Sequence, residues 1–263
     1  MCRMLLPTNF LMKQKPKLEV QHLSKAYQIS IFQDISLHVL PNEIVSVIGA
    51  SGCGKSTLLD CIAGIVMPDK GDIIFDGKST IGKVGTVSYM MQDDALFPWR
   101  NVLDNIMLPL ELKGKSSADE TQKTKILLQR FGLSDFASYN PFQLSAGMRQ
   151  RVALLRAYLC EKEMMLMDEP FSKLDALTRF HLQKWFLEIW QEQKLSVLLV
   201  THDIDEALLL SDRIYILSPR PAKVKVQIKV QKPRLNLNQK QVGQKQIKTK
   251  NEIIRLLHGQ YSI

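Results

Sequence analysis

The sequence predicts an α/β protein with a mostly parallel sheet, and three features indicate this class. Strand-like and helix-like segments alternate along most of the chain, which is typical of parallel strands joined by helices. Residues 44–48 are a strand-like run that is apolar except for Ser46, and residues 164–167 are continuously apolar, as expected of strands that are buried on both faces. A glycine-rich segment, residues 49–56, connects the first of these runs to a helix-like run at residues 57–63.

Bulk composition limits the class of protein. The chain has 263 residues, of which 45% are hydrophobic and 23% are charged, as in ordinary soluble globular proteins. No apolar run reaches the roughly 18 residues that a transmembrane helix needs. The four cysteines, Cys2, Cys53, Cys61 and Cys160, show neither metal-binding spacing nor a disulfide framework, which is typical of a reducing compartment.

The net charge of +9 is concentrated at one end. Residues 219–263 contain eleven lysines and arginines and one acid, so this tail carries a charge of +10 and the rest of the chain −1. We interpret the tail as a solvated surface. The alternative is a segment that contacts a membrane or a nucleic acid, although nucleic acid is not the expected partner.

The chain divides into three predicted parts. Residues 1–17 form a leader that is expected to be disordered and lacks the features of a signal peptide. Residues 18–218 form the main domain, with a helical insert at about 93–160. Residues 219–263 form a basic extension.

The first part of the domain predicts antiparallel strands at the edge of the core. Residues 18–23 and 35–39 alternate apolar and polar side chains, and the former is expected to be an edge strand. Residues 72–75 form a strand between two turn-forming segments. Residues 84–90 predict another buried strand, which ends just before Gln92.

The middle of the domain predicts helices. Proline and glycine interrupt residues 93–142, and helical periodicity appears at residues 119–131. A second helix begins at Ser145, whose hydroxyl can accept a hydrogen bond from a free backbone N–H of the first turn.

The last part returns to alternating elements. We expect a helix at 174–193, a buried strand at 196–200, a helix at 203–210 and a strand at 213–217 that closes the sheet. Residues 223–230 alternate strictly, which predicts a strand packed on the flank of the domain. Residues 233–248 are interpreted as a linker, and residues 249–258 as a terminal helix.

Residues 49–56 match G-x-x-x-x-G-K-[ST], the pattern of a phosphate-binding loop. Glycines allow successive N–H groups to point into the loop, and the helix that follows adds its positive end. The nucleotide-binding residues predicted here are Gly49, Ser51, Gly52, Cys53, Gly54, Lys55, Ser56 and Thr57. Cys53 is interpreted as a small filler of the loop, with a modifiable thiol as the alternative.

Two carboxylates end the apolar strand at 164–167. Asp168 should emerge at the carboxyl edge of the sheet, where α/β proteins bind ligands. Because Mg²⁺ prefers oxygen ligands, Asp168 and Ser56 are the predicted metal ligands. Glu169 is predicted to be the general base for an attacking water, with a structural ion pair as the alternative.

In this order, the motifs resemble the ATP-binding subunits of ABC transporters, and the resemblance covers roughly residues 18–218. It implies a P-loop NTPase core, a mostly parallel sheet with an antiparallel β edge, and a helical signature subdomain. It also implies Mg²⁺ and two subunits that bind two ATP molecules between them.

The resemblance also implies site roles outside the phosphate loop. Gln92 is the residue that senses Mg²⁺ and water, and His202 holds the γ-phosphate. Tyr27 stacks on adenine. Residues 144–148 are the signature segment, in which Ser145 and Gly147 contact the ATP of the second subunit, and Asp175 lies in the loop that crosses the dimer interface.

The sequence departs from the family pattern at two places. Ala146 and Met148 stand where the signature segment usually has glycine and glutamine, and Lys173 stands where the crossing loop usually has a small residue. These changes put in doubt the tightness of the contact with the second subunit's ATP and the contacts of the dimer.

Residues 97–102, Phe-Pro-Trp-Arg-Asn-Val, are similar to importers of nitrate, sulfonate, taurine and pyrimidine precursors of thiamine. This resemblance implies a peripheral subunit on the cytoplasmic face of the membrane, partnered by a permease and a solute-binding protein. Trp99 is then an aromatic anchor for the permease; the alternative places it in the core of the insert. An exporter ATPase and a nucleic-acid-associated ABC ATPase remain the alternative functions.

Overall fold

The structure is a computed structural model that describes residues 14–230 and 239–258. Most of the predicted leader and residues 233–238 of the predicted linker lie outside these ranges. The ten strands found within them are β1 (Leu18–Ala26), β2 (Ser30–Val39), β3 (Ile44–Ile48), β4 (Lys70–Phe75), β5 (Lys78–Ser79), β6 (Ser88–Met90), β7 (Met164–Asp168), β8 (Ser196–Val200), β9 (Arg213–Leu217) and β10 (Val224–Lys229).

Helices fill the segments between the strands. Those in the described residues are α1 (Lys55–Ile62), α2 (Val102–Leu112), α3 (Ala118–Arg130), α4 (Ala146–Tyr158), α5 (Ala176–Gln193), α6 (Ile204–Leu210) and α7 (Gln239–His258). None of them is both long enough and apolar enough to cross a membrane.

The larger sheet has six strands in the order β10-β9-β3-β8-β7-β6. β3 is parallel to β8 and to β9, and β7 is parallel to β6 and to β8. β3, β7, β8 and β9 are buried along their whole length, which agrees with their mostly apolar sequences. The predicted α/β class with a P-loop NTPase core is therefore confirmed.

The smaller sheet is antiparallel, in the order β2-β1-β4-β5. The prediction of an edge strand at residues 18–23 is wrong, because β1 pairs with β2 on one side and with β4 on the other. β2 also begins five residues earlier than expected. A register shift between Val20 and Leu23 interrupts the pairing, so the alternation does not run through the hairpin.

One predicted strand is shorter than its apolar pattern suggests. Of residues 84–90, only Ser88–Met90 forms a strand. Gly85 has a φ of 76°, which strands do not adopt, and the Val84 side chain is exposed.

The prediction that residues 213–217 close the sheet is also wrong. β10 pairs antiparallel with β9, with Val226 opposite Ile216, and forms the outer strand. Its alternate side chains, with Val230, pack on the buried residues of β9 and α6, as the alternating pattern predicted. The domain boundary at residue 218 remains a prediction, although strands on its two sides are hydrogen-bonded.

The terminal helix is longer than expected. α7 begins at Gln239, so residues 239–248 are helical and the prediction of a linker there is wrong. Ile253 is fully buried against the cluster that contains Ala207 and Leu208 of α6. Its burial explains the helix, since an apolar face gains stability from tertiary packing that local composition does not show.

Two larger cores support the nucleotide end of the domain. One joins α1 to both sheets through side chains such as Leu58, Val20 and Val45. The other joins α2, α3, α4 and α5 to the far side of the parallel sheet. The predicted helical insert is thus packed on the domain through its own helices.

Candidate functional site

The order of the parallel strands brings the predicted site residues to one edge. β3, β8, β7 and β6 are neighbours in the sheet. The phosphate loop follows β3, and His202 follows β8. Asp168 ends β7 and Glu169 comes next, while Gln92 follows β6. Because the carboxyl ends of parallel strands lie at the same edge of a sheet, these residues converge there.

The phosphate loop turns tightly into α1 at Gly54. Gly54 caps the helix with a φ of 112°, and a Cβ at this position would lie 2.5 Å from Cγ2 of the buried Ile31. Both the backbone angle and the close contact exclude a larger residue. This explains why the second glycine of the pattern is needed.

Lys55 is held inside the loop. Its side chain is 7% exposed, and Nζ donates hydrogen bonds of 3.0 Å to the carbonyl oxygens of Gly49 and of Ala50. These two hydrogen bonds fix the position of the ammonium group within the loop. A phosphate oxygen is a stronger acceptor than a carbonyl and can replace these partners.

Cys53 is buried under the loop, and burial raises the pKa of its thiol. A Cβ on Gly49 would lie 3.0 Å from Cys53 Sγ, so the sulfur fills the space beneath the loop. Since a thiol with a raised pKa is a poor nucleophile, the structure supports the interpretation of Cys53 as a filler.

Asp168 ends β7 and is 2% exposed. Burial raises the pKa of its carboxyl group, and a hydrogen bond from Ser56 partly offsets this effect. Its Oδ1 is buried and has no hydrogen-bond partner in the described part of the chain. A buried carboxylate oxygen without a donor, beside a hydroxyl, fits a divalent cation that takes oxygen ligands.

No group of three or more His, Cys, Asp or Glu side chains in the described residues could hold a metal by itself. Mg²⁺ commonly binds through one or two carboxylates together with substrate phosphates and water, and Asp168 supplies one such carboxylate.

Glu169 and His202 are brought together from different strands. Glu169 Oε1 lies 2.9 Å from His202 Nδ1. The Glu169 N–H donates to Val200 O at 2.8 Å, which holds the residue against the end of β8. The Glu169 side chain is mostly buried, whereas that of His202 is 61% exposed, so the pair lies at the rim of the site.

Gln92 follows β6 and is exposed. The backbone carbonyl oxygen of Gln92 accepts a hydrogen bond of 3.0 Å from Lys173 Nζ. The lysine that departs from the family pattern thus contacts the segment predicted to sense Mg²⁺.

The signature residues lie on α4, in the helical insert. Ser145 is the predicted N-cap, and its Oγ accepts a hydrogen bond of 3.2 Å from Met148 N, which confirms that prediction. Ser145 is exposed. Gly147 contacts the 172–175 loop, because a Cβ there would lie 3.2 Å from Leu174 Cδ2.

Asp175 and Tyr27 lie at the surface. Asp175 caps α5 by accepting a hydrogen bond of 3.0 Å from Thr178 N, and the hydrogen bonds from Thr178 lower the pKa of its carboxyl group. Tyr27 is exposed just after β1, with Lys25 Nζ 5.1 Å from the centre of its ring. An exposed aromatic face of this kind is free to stack on a planar base.

Sequence reasoning missed two buried polar residues near the site, Gln150 and Glu206. Gln150 lies on the same face of α4 as Leu154 and Ala157, and Glu206 on the same face of α6 as Leu210. A polar residue at helical spacing on an otherwise apolar face is the signal that could have found both.

Glu206 makes the stability of the fold depend on pH. It is 5% exposed, and burial raises the pKa of its carboxyl group from 4.5 to about 7. Thr201 donates a hydrogen bond of 3.0 Å to its Oε2. The folded state therefore binds a proton that the unfolded state releases between pH 4.5 and about 7, so folding stability falls as pH rises through this window.

Replacing Glu206 with glutamine should remove this loss. We expect the free energy of unfolding of Glu206→Gln to exceed that of the wild type by up to about 3 kcal/mol near pH ~8, and by much less near pH ~5. Urea unfolding at the two pH values measures the difference. The control is Glu188→Gln on the exposed face of α5. The prediction would be contradicted if the free energies of unfolding of the wild type and of Glu206→Gln differed by the same amount at both pH values.

Comparison with known proteins agrees with this geometry. The model of the ABC transporter family matches residues 32–172, more than half of the chain. The taurine import ATP-binding protein TauB of Pseudomonas aeruginosa is 42% identical over 195 residues, which are 74% of each chain. The formylaminopyrimidine import ATP-binding protein ThiZ of Halalkalibacterium halodurans is 43% identical over 209 residues, 79% of this chain and 82% of that one.

Solved structures show the same fold. The dimeric structure of a bacterial ABC transporter cassette superposes with a TM-score of 0.75 at 28% identity, covering 82% of this chain and 99% of that one. A dimeric post-hydrolysis state of such a cassette, bound to ADP and Pi, superposes with a TM-score of 0.74 at the same identity and coverage.

Proposed function

Because this chain belongs to the ABC transporter family, as an ATP-binding subunit with ATPase activity, we propose that it powers the import of a small solute through a separate permease. We propose that the solute belongs to one of three classes: nitrate, a sulfonate such as taurine, or a pyrimidine precursor of thiamine. The observation that supports import best is the similarity, at about 40% identity, to subunits named for import of taurine and of formylaminopyrimidine.

ATP is proposed to bind mainly through its phosphates. Backbone N–H groups of residues 49–57 and the Lys55 ammonium group would contact the phosphate oxygens, while Tyr27 would stack on the adenine ring. Lys55 suits this role because its present partners are two carbonyl oxygens of the same loop.

Mg²⁺ is proposed to be held by Ser56 and Asp168, and Gln92 is proposed to sense the ion and the attacking water. The unpartnered Oδ1 of Asp168 supports this assignment. An ion held by these residues would supply positive charge that offsets the negative charge of the phosphate oxygens.

Glu169 is proposed to accept the proton of the attacking water. His202 would contact the γ-phosphate with one side of its ring. The other side would hold the Glu169 carboxylate, as the distance of 2.9 Å between His202 Nδ1 and Glu169 Oε1 suggests. The alternative, a purely structural ion pair, is less suitable because the pair lies at the rim of the site, beside the phosphate loop.

Two copies of the chain are proposed to enclose two ATP molecules. Ser145 and Gly147 of one copy would face the nucleotide of the other, and the loop containing Asp175 would cross between them. The exposure of Ser145 at the start of α4 supports this arrangement, as do the dimeric cassettes to which the chain is similar. ATP would then shift the population towards the closed dimer, and hydrolysis would reopen it.

Trp99 is the proposed contact with the permease. It is 75% exposed, so the alternative that it belongs to the core of the insert is wrong. Its ring stacks on Phe97 at 5.1 Å, and the fully buried Asn105 donates hydrogen bonds to the carbonyl oxygens of Phe97 and of Arg100. An exposed tryptophan that stacks on a half-buried phenylalanine is a typical anchor for a partner helix.

The experiment is uptake of labelled taurine, nitrate and formylaminopyrimidine in cells that lack this subunit and are complemented with variants. We expect Trp99→Ala to reduce uptake at least about tenfold, because loss of a central aromatic anchor costs about 2 kcal/mol or more of binding. The ATPase rate of the purified subunit should not change.

Leu112→Ala, which truncates an equally exposed apolar side chain of α2, is the control and should retain uptake. Complementation that restores efflux instead of uptake would favour the exporter alternative.

A further inference from the structure

We propose that Gln150 and Lys173 are positioning residues that together fix Glu169 and Gln92 for ATP hydrolysis. The inference rests on the catalytic roles proposed above for Glu169 and Gln92. It concerns two side chains that lie between the signature helix α4 and the 172–175 loop.

Gln150 uses both ends of its amide group. It is 4% exposed; Nε2 donates a hydrogen bond of 3.0 Å to Glu169 O, and Oε1 accepts one of 3.0 Å from Lys173 N. One buried side chain of α4 thus joins the two ends of the turn at residues 169–173. Buried amides of this kind hold their partners in a single arrangement when both ends are satisfied.

Glu169 needs such support because its backbone is strained. It has a φ of 49°, in the left-handed region, although it is not glycine and precedes a proline. Residues before proline favour extended conformations, so this geometry persists only where the surroundings impose it. The carbonyl of Glu169 accepts hydrogen bonds from Gln150 and, at 2.9 Å, from Ser172 Oγ.

The direction of the Glu169 side chain depends on that backbone geometry. Without the Gln150 donor, the carbonyl would be held by Ser172 alone, which would allow the strained backbone to relax and move the carboxylate away from His202, whose Nδ1 lies 2.9 Å from Oε1. Because proton transfer requires the base within hydrogen-bond reach of the attacking water, a small displacement lowers the rate.

Lys173 extends the connection to Gln92. Its N–H is held by Gln150, and its Nζ donates to Gln92 O at 3.0 Å. The same loop lies against the start of α4, since a Cβ at Gly147 would be 3.4 Å from Lys173 O. The signature helix, Glu169 and the Gln92 segment are therefore joined within one subunit.

Steady-state ATP hydrolysis by the full-length chain tests the proposal. We expect Lys173→Met and Gln150→Met each to lower kcat about tenfold, with KM for ATP within about twofold of the wild type, because the phosphate loop is untouched. Lys173→Arg, which retains a donor, should restore most of kcat. A residue that only stabilised the fold would lower the melting temperature and leave kcat unchanged.

The controls are Lys123→Met, at an exposed lysine of α3, and Gln183→Met, at a buried glutamine of α5. A kcat for folded Lys173→Met or Gln150→Met within twofold of its control would overturn the proposal. If Gln150→Met does not fold, Lys173→Met decides, because Lys173 is exposed.

The variant Glu169→Gln separates this inference from the proposed function. If it hydrolyses ATP at the wild-type rate, the base assignment fails whatever Lys173→Met shows. If it is inactive and Lys173→Met has the kcat of its control, only the positioning proposal fails.

Discussion

Replacing Glu169 with glutamine should lower the rate of ATP hydrolysis by about 100-fold to 10,000-fold, the range expected when a general base is lost. Glutamine has the same shape and can keep an oxygen 2.9 Å from His202 Nδ1, so the site should remain assembled. Binding of ATP should persist, since the phosphate loop and Asp168 are unchanged. We therefore expect a variant that binds ATP and remains a closed dimer.

Single-turnover hydrolysis and size-exclusion chromatography with ATP measure the two effects of Glu169→Gln. The matched control is Glu188→Gln on α5, which makes the same chemical change at an exposed glutamate away from the strand ends. Hydrolysis at the normal rate would show that Glu169 is not the base.

Replacing Lys55 with methionine should weaken ATP binding by about 100-fold or more, because a charge-assisted hydrogen bond to phosphate is worth roughly 1.5–3 kcal/mol and Lys55 can make more than one. The fold should not suffer comparably. In the described part of the chain, the buried Lys55 ammonium group donates hydrogen bonds to two carbonyl oxygens and to no carboxylate, so removing its charge also removes a desolvation cost.

Equilibrium binding of ATP and urea unfolding, measured on the same Lys55→Met preparation, distinguish the two effects. Lys113→Met is the control, since Lys113 donates to the carbonyl oxygen of Cys160, outside the site. Tight ATP binding by Lys55→Met would contradict the proposed role. A loss of binding accompanied by an equal loss of folding stability would show that the lysine is structural.

Local sequence patterns determined much of the secondary structure of this protein and the family to which it belongs. The phosphate loop, the buried strands at 44–48 and 164–168 and the cap at Ser145 were predictable, because their conformations depend on residues close together in the chain. The strict alternation at 223–230 also predicted a strand with one packed face. The family, and with it the ATPase activity, followed from motifs read in order.

Only the tertiary structure decided which elements are neighbours. β1 is internal because β4 pairs with it, and β10 forms the outer strand beyond β9, and neither pairing is visible in the alternation of one segment. Val84 is exposed because Gly85 turns the chain, so only the last three residues of the predicted strand at 84–90 form one.

The candidate site shows the same division. Sequence alone predicted Glu169, His202, Gln92 and the phosphate loop, but the strand order placed them at one edge, and packing exposed Trp99. The hydrogen bonds of Gln150 and Lys173 join residues up to 81 positions apart. A buried amide finds its partners only after the helix and the loop have packed, because its bonds depend on distances in space and not on spacing along the chain.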